Sequence, residues 1–502
     1  MNHLVIAPLL LPLLAGILLI LTQRMDIRLH RLLSIAAVLG QIGLALLLTR
    51  AVSGGDILTY NLGNWSGPFG IVLVADGLAV WMLLITALLA LFALLYASRG
   101  GDVGGRHFHA LFQLQLLGLN GAFLTGDLFN LFVFFEVLLL ASYGLMLHGG
   151  GRARVRAGLH YVVLNLAGSA LFLIAVGTLY GVFGTLNMAD LALKAAATPE
   201  QDLGLARAAG LLLFAVFALK AALLPLYLWL PAAYAHTSAP VAALFAIMTK
   251  VGVYSIIRVY SLIFGASAGP VANLIEPWLL PLALATLMVG MLGVLAATTL
   301  RQQAAYLVVA SVGSLLTAFG LNSSAGIAAA LYYLPHSTFA AAALFLLADV
   351  IAHRRGEIGD RFDPAPAIAY APLLGGLFFV AVLQSIGLPP LSGFLGKFLI
   401  LRASLEHSAA AWVMTLVLLG GLVGMIAMAR SGSLLFFRTL PLKEAAASAA
   451  PIASALVPVV GLLLLGVAMT LFAGPIHIYV TSIAEQLLRP ELYIDAVLGG
   501  HP

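Results

Sequence analysis

Apolar residues run through this chain in blocks of about 20, separated by short polar stretches. A block of that length spans a bilayer core of about 30 Å as a helix, and it does not fit the short alternating strands of an outer-membrane barrel. The pattern predicts an all-α polytopic membrane protein of about fourteen transmembrane helices. Their expected positions are roughly 4–22, 32–50, 72–97, 108–125, 128–148, 159–183, 207–229, 239–264, 274–298, 303–320, 325–352, 371–407, 411–436 and 452–473.

Two of these runs cannot be straight helices. The twelfth is too long and is interrupted at GLPPLSG, where Pro389 and Pro390 lack backbone donors and Gly387 and Gly393 loosen the chain. The seventh is interrupted at Pro225 and Pro231. ALKAALLPLYLWLP and VLQSIGLPPLSGFL each carry a polar residue five positions before a proline, pairing Lys220 with Pro225 and Gln384 with Pro389. Proline-broken helices at matching places in two halves mark transport sites near the midplane. The stretch is short, and repeat and coincidence are equally open on this pattern alone.

The longest polar stretches, near 50–71, 184–206 and 353–370, are too short for a soluble domain, so residues 1–502 read as one membrane domain. EAAASAAP at 444–451 reads as a linker before the last span, after which the chain ends with no long tail. The first run lacks a basic leader and a small-residue cleavage site, so it reads as the first membrane helix and not as a signal peptide.

Composition agrees. The chain is 62% hydrophobic and 9% charged, against about a quarter charged in soluble domains. Its net charge of +5 does not point to nucleic acid, because the basic residues sit in short loops. Loops after odd-numbered spans hold Arg24, Arg28, Arg31, Arg99, Arg106, Arg152, Arg154, Arg156, Arg301, Arg354, Arg355, Arg361, Arg438 and Lys443. The other side holds Arg50, Lys194, Arg207, Arg402 and Arg489. The positive-inside rule makes the odd loops cytoplasmic and puts both termini outside. Cysteine is absent, which excludes disulfides, Fe–S clusters and thiolate metal sites within this chain. No phosphate loop, nucleophile motif or metal-ligand spacing is present, so no cofactor or metal is expected.

Against that background four charges stand out: Glu136 in FNLFVFFEVLLLASYGL, and Lys220, Lys250 and Lys397, each inside an apolar run. One charge near a bilayer centre costs about 2.5–3.5 kcal/mol on the lenient scale, so four isolated ones would cost roughly 10 kcal/mol. They must face protein or water, as a buried structural ion pair or as an ion path, and intramembrane charges favour the path. Tyr143, seven residues after Glu136, shares its helix face. Asp127 and Asn130 begin the same span, with Asp127 at the interface. Lys220 precedes Pro225 by about a turn and a half, near a backbone carbonyl the proline frees for water or an amine. Lys250 shares a face with Tyr254 and Arg258, although Arg258 reads as reaching toward an interface. Lys397 follows the GLPPLSG break by one turn. His336 lies inside a span and titrates naturally near neutrality; a neutral core histidine is the alternative. His236 is an entry residue or a loop residue.

Free lysine, with a pKa near about 10.4, is too basic to release protons readily at neutral pH. Burial opposes its charge and a nearby carboxylate supports it, so a lysine that gains and loses a carboxylate changes its proton affinity. Glu136 with Lys220 could form such a switch. Sodium would want hard oxygen ligands, and few acids lie in the membrane, which favours protons along the lysine row.

Three segments carry a family resemblance: FNLFVFFEVLLLASYGL, LKAALLPLYLWLPAAYAHTSAPVAALFAIMTKVGVY and IGLPPLSGFLGKFLIL. They resemble the antiporter-like family of membrane-arm subunits of respiratory complex I and of Mrp-type multisubunit sodium/proton antiporters. The likeness is strongest over about residues 60–440. YNLGNWSGPFGIVLVADGLAV, LYYLPHSTFAAAALFLLAD and the lysine at 397 favour the Mrp branch.

The resemblance implies two inverted five-helix repeats, helices 4–8 (108–264) and 9–13 (274–436), with helices 7 and 12 broken and 1–97 and 452–473 peripheral. It implies a proton path through Glu136, Lys220, Lys250, His336 and Lys397, with Tyr143, Tyr254 and His236 as accessory or entry residues and Pro225, Pro389 and Pro390 at the breaks. It also implies other membrane subunits as partners, protons and sodium (or potassium or lithium) as cargo, and a bacterial cytoplasmic membrane. Where many relatives have a lysine four residues after the helix-11 histidine, this chain has Ala340. A proton-pumping subunit of complex I or of a membrane hydrogenase is the alternative, and a purely structural scaffold is a third reading.

Overall fold

The computed structural model describes residues 3–440 and 452–499. The linker expected at 444–451, and Lys443, lie outside the described residues. The protein is almost entirely helical, and eleven of the described helices are long and apolar enough to cross a membrane.

Helices α1 (Ala7–Leu21) and α2 (Ile27–Val52) pack on each other. An antiparallel hairpin follows, β1 (Leu58–Asn61) with β2 (Val72–Ala75). The span expected from residue 72 therefore begins as a strand. Val72, Leu73 and Val74 suit a β ladder, and Asp76 then starts α3 (Gly77–Ala97) by accepting the Ala79 N–H at 2.9 Å.

Next come α4 (Phe108–Leu124), α5 (Leu128–Leu147), α6 (Arg152–Phe183), the short α7 (Met188–Ala196), α8 (Leu203–Ala221), α9 (Trp229–His236), α10 (Ala239–Phe245) and α11 (Met248–Leu262). Arg152, Arg154 and Arg156 lie within the first turns of α6, not in a loop. The eighth span, expected to be continuous over 239–264, is interrupted at Ala246–Ile247. No proline lies at that point. Instead the Tyr234 hydroxyl donates to the Phe245 carbonyl at 2.8 Å, a side chain inserted into the helical ladder.

The second stretch has α12 (Glu276–Ala296), α13 (Leu300–Phe319), α14 (Ser324–Arg354), α15 (Ala371–Ile386), α16 (Ser392–Ser404) and α17 (Ala410–Phe436). The last span, α18 (Ala453–Leu471), does not end the structure. It runs on into α19 (Ala473–Leu487) and α20 (Pro490–Leu498). Gln486 of α19 accepts the Gly77 N–H at 3.1 Å, tying this end to the start of α3.

The α10–α11 unit, α13 and α14 are enclosed almost all round, while α2 and α17 bury only about a third of their residues. The enclosed helices form the central axis. Their breaks are closed by named partners. Pro335 in α14 cannot donate to the Leu331 carbonyl, and the Trp81 indole of α3 does so at 3.0 Å. The seventh span ends at Ala222, a left-handed residue with φ 61°, and the Trp229 indole donates to the Leu219 carbonyl at 3.0 Å. The twelfth ends at Gly387, φ 82°. Lys220 lies two residues before Ala222, and Ser385 lies two residues before Gly387.

Candidate functional site

The three intramembrane lysines are enclosed: Lys220 is 4% exposed, Lys250 0% and Lys397 8%. Lys220, in the last turn of α8, donates to the Asn165 carbonyl at 3.0 Å, to Asn165 Oδ1 at 3.4 Å and to Ser169 Oγ at 3.3 Å, all on α6. It does not use the carbonyl freed at its own break. Lys250 of α11 donates to Ser311 Oγ of α13 at 2.9 Å. Lys397 of α16 donates to the Ile386 carbonyl at the end of α15, so here the freed carbonyl does hold an amine.

Glu136 and Lys220 were the expected pair, but they are not in contact. Among the described residues no carboxylate oxygen lies within 4.0 Å of the Lys220, Lys250 or Lys397 amine. Glu136 is half-buried in α5; its Oε1 and the Tyr143 hydroxyl are enclosed with no hydrogen-bond partner. The Tyr143 ring stands edge-on to Tyr161, whose hydroxyl shares a 2.7 Å hydrogen bond with Ser142.

His336 of α14, 1% exposed, meets Ser392 Oγ of α16 through Nδ1 at 3.0 Å. Gly393 makes that approach possible, since a Cβ there would lie 2.9 Å from His336 Nε2. Gln384 is fully buried with both amide atoms unpartnered. The arrangement thus runs from Glu136 past Lys220, Lys250 and Ser311 to His336, Ser392 and Lys397, with Pro225, Pro389 and Pro390 in the connections at the two breaks.

Openings lie at both ends. On the arginine-rich end a cavity of about 600 Å³ reaches Thr237–Pro240 at the head of the Lys250 span, bounded by Arg154, Arg301 and Asp349. His236 is exposed and lines a separate recess with His160. On the other end a cavity of about 620 Å³ lies beyond Lys397, among Arg402, Glu406, His407 and His477.

Arg258 reaches to the head of α3 and not into solvent. It is buried, and forms a two-pronged ion pair with Asp76 at 2.6 and 2.7 Å between Tyr254 and Tyr493. Tyr254 donates to the Phe123 carbonyl at 2.6 Å. The sequence reading missed Asp76, whose only signal was an acid at the head of an apolar run. It also missed the Arg31–Asp102–His109 cluster, in which Arg31 grips Asp102 at 2.6 and 2.7 Å and His109 reaches it at 3.0 Å. Asn165, Ser169, Ser311 and Ser392 were not singled out either; they are ordinary small polar residues until their lysine or histidine partner is seen. Among the described residues no three His, Asp or Glu side chains converge as a metal site.

Residues 125–424 match the family model described as NADH:quinone oxidoreductase/Mrp antiporter, TM. The chain belongs to this family. All five residues from Glu136 to Lys397 lie inside the family match. A Rhizobium meliloti protein described as the D-type subunit of a probable K(+)/H(+) antiporter is 42% identical over 99% of this chain and 98% of its own length. The D-type subunit of the Na(+)/H(+) antiporter of Alkalihalophilus pseudofirmus is 37% identical over 99% of this chain and 100% of its own. Among solved structures, a chain of the Mrp complex from Dietzia sp. DQ12-45-1b superposes with TM-score 0.88 at 29% identity, covering 99% of this chain and 100% of that one.

Proposed function

We propose that this chain is the proton-translocating subunit of a multisubunit monovalent cation/proton antiporter in a bacterial cytoplasmic membrane, working beside other membrane subunits. The cargo is protons against sodium or potassium, the ions in the names of the two relatives. One observation carries the mechanism: three buried amines are held by neutral oxygens and not by carboxylates. A hydroxyl or carbonyl accepts a hydrogen bond from an amine whether or not it is charged. The proton can therefore leave without stranding a buried anion, which a structural ion pair such as Arg258–Asp76 would do. Glu136, with an unpartnered oxygen, is the input; Lys220, Lys250, His336 and Lys397 follow in order, and His236, Tyr143 and Tyr254 are accessory.

The fourteen-span, inverted-repeat architecture belongs to this proposal, with repeats at 108–264 and 274–436 and peripheral helices at 1–97 and 452–473. Gly118 packs on Leu138 and Gly121 on the Phe134 ring; Gly290 packs on Ala310 and Gly293 on the Tyr306 ring. All four positions of the second set follow the first by the same number of residues. In each half the fourth span is broken next to a proline. The arginine distribution supports both termini on the outer side.

The test is cation-dependent proton movement in everted vesicles. Glu136→Ala and Lys220→Ala are expected to insert normally and lose exchange; full exchange in either would overturn the proposal. The family description also covers NADH:quinone oxidoreductase subunits, which makes a redox-driven pump the second reading. Fe–S or flavin proteins co-purifying with the tagged chain would favour it.

A further inference from the structure

The middle of the path contains a small cavity. It lies between α13, α14 and the end of α15, and its volume is about 20 Å³. Ser311, His336, Ser337, Ala340 and Ser385 line it, and all but Ser385 are buried. A water needs about 10–15 Å³ of such space and two to four polar partners.

The hydroxyls define what fits. Ser311 donates to the Val308 carbonyl at 2.7 Å, Ser337 to Leu334 at 3.0 Å and Ser385 to Ala381 at 2.7 Å. Each O–H is used within its own helix, so each oxygen turns lone pairs outward. Three acceptors around a space of this size suit a donor-rich guest. No carboxylate lines the cavity.

We propose that this cavity holds one water, or the hydronium it becomes on protonation, bridging Ser311 to His336, and that the small side chain of Ala340 leaves the room for it. The inference rests on the proton-path reading. Ser311 accepts the Lys250 N–H, so a proton moves across once the Ser311 hydroxyl turns from the Val308 carbonyl toward the water: Ser311 then receives a proton from Lys250 as it passes its own on. The water then gives one to the His336 ring nitrogen that does not face Ser392. Each hop breaks one O–H or N–H bond and forms one, and the net charge is conserved.

The test uses the assembled complex in vesicles. Ala340→Leu fills the cavity and is expected to lower exchange by about tenfold or more. Lys250→Ala separates the two ideas. If Lys250→Ala is inactive while Ala340→Leu exchanges at the parental rate, the water site is wrong and the path stands. If Lys250→Ala is fully active, the path itself fails. A high-resolution cryo-EM map of the unmodified complex gives an independent reading that does not depend on how Ala340→Leu assembles. Solvent density within hydrogen-bond distance of Ser311 and His336 is expected, and a dry cavity overturns the proposal.

Discussion

Gly252 of the Lys250 helix rests directly on Ala221, the residue after Lys220. A Cβ at 252 would lie 2.5 Å from the Ala221 nitrogen and 2.8 Å from the Lys220 carbonyl carbon. The two lysine helices approach as closely as they do only because this position has no side chain. Gly252→Ala must push α8 and α11 apart, an overpacking that typically costs about 1–3 kcal/mol. The expected result is a lower melting temperature of the purified complex together with slower exchange at matched protein levels.

Ser311 is the hydrogen-bond partner of the Lys250 amine. Ser311→Ala removes that acceptor from a fully buried group, at a cost of about 1–3 kcal/mol. Ser311→Thr restores a hydroxyl. Exchange in vesicles should fall for the alanine variant and recover in the threonine variant; equal activity in both would show that the contact is dispensable.

The Asp76–Arg258 pair should behave differently from the lysines. Breaking a buried ion pair on one side costs about 3–5 kcal/mol, because the remaining charge is stranded. Asp76→Ala is therefore expected to deplete the chain from the membrane, measured by immunoblot, before any question of exchange arises. Replacing both residues by apolar ones should restore much of the protein level.

Asp102, in the connection between α3 and α4, offers a pH test. Burial pushes its carboxyl up, but the hydrogen bonds from Arg31 and His109 and the Arg31 charge outweigh this and hold it below the ordinary value of 3.8. A depressed carboxylate contributes stability above its unfolded pKa and loses it as pH falls through the folded value. The melting temperature should then lose this contribution only below about pH 4. Asp102→Asn should melt lower at neutral pH and lack that part of the acid-side decline.

The intramembrane charges and the two proline breaks were legible because each is a local anomaly in an apolar run. Their partners were not. Lys220 finds Asn165 and Ser169, and Arg258 finds Asp76, across long stretches of chain that no periodicity links. The interruption inside the eighth span was also hidden, since a tyrosine hydroxyl makes it and not a proline. The proposed repeat has a further trace beside the prolines: the glycine pairs of GLNG at 118–121 and GMLG at 290–293, on which α5 packs against α4 and α13 against α12.

The indole of Trp81 completes a hydrogen bond that Pro335 cannot make, one residue from His336. Helix α3 thus supplies part of the backbone integrity of the helix that carries His336. The amino-terminal helices cannot be grafted freely from one relative to another. A chimera that brings in a third helix without an indole at this place leaves the Leu331 carbonyl unmet, in the helix that carries His336, so the two regions are constrained to change together.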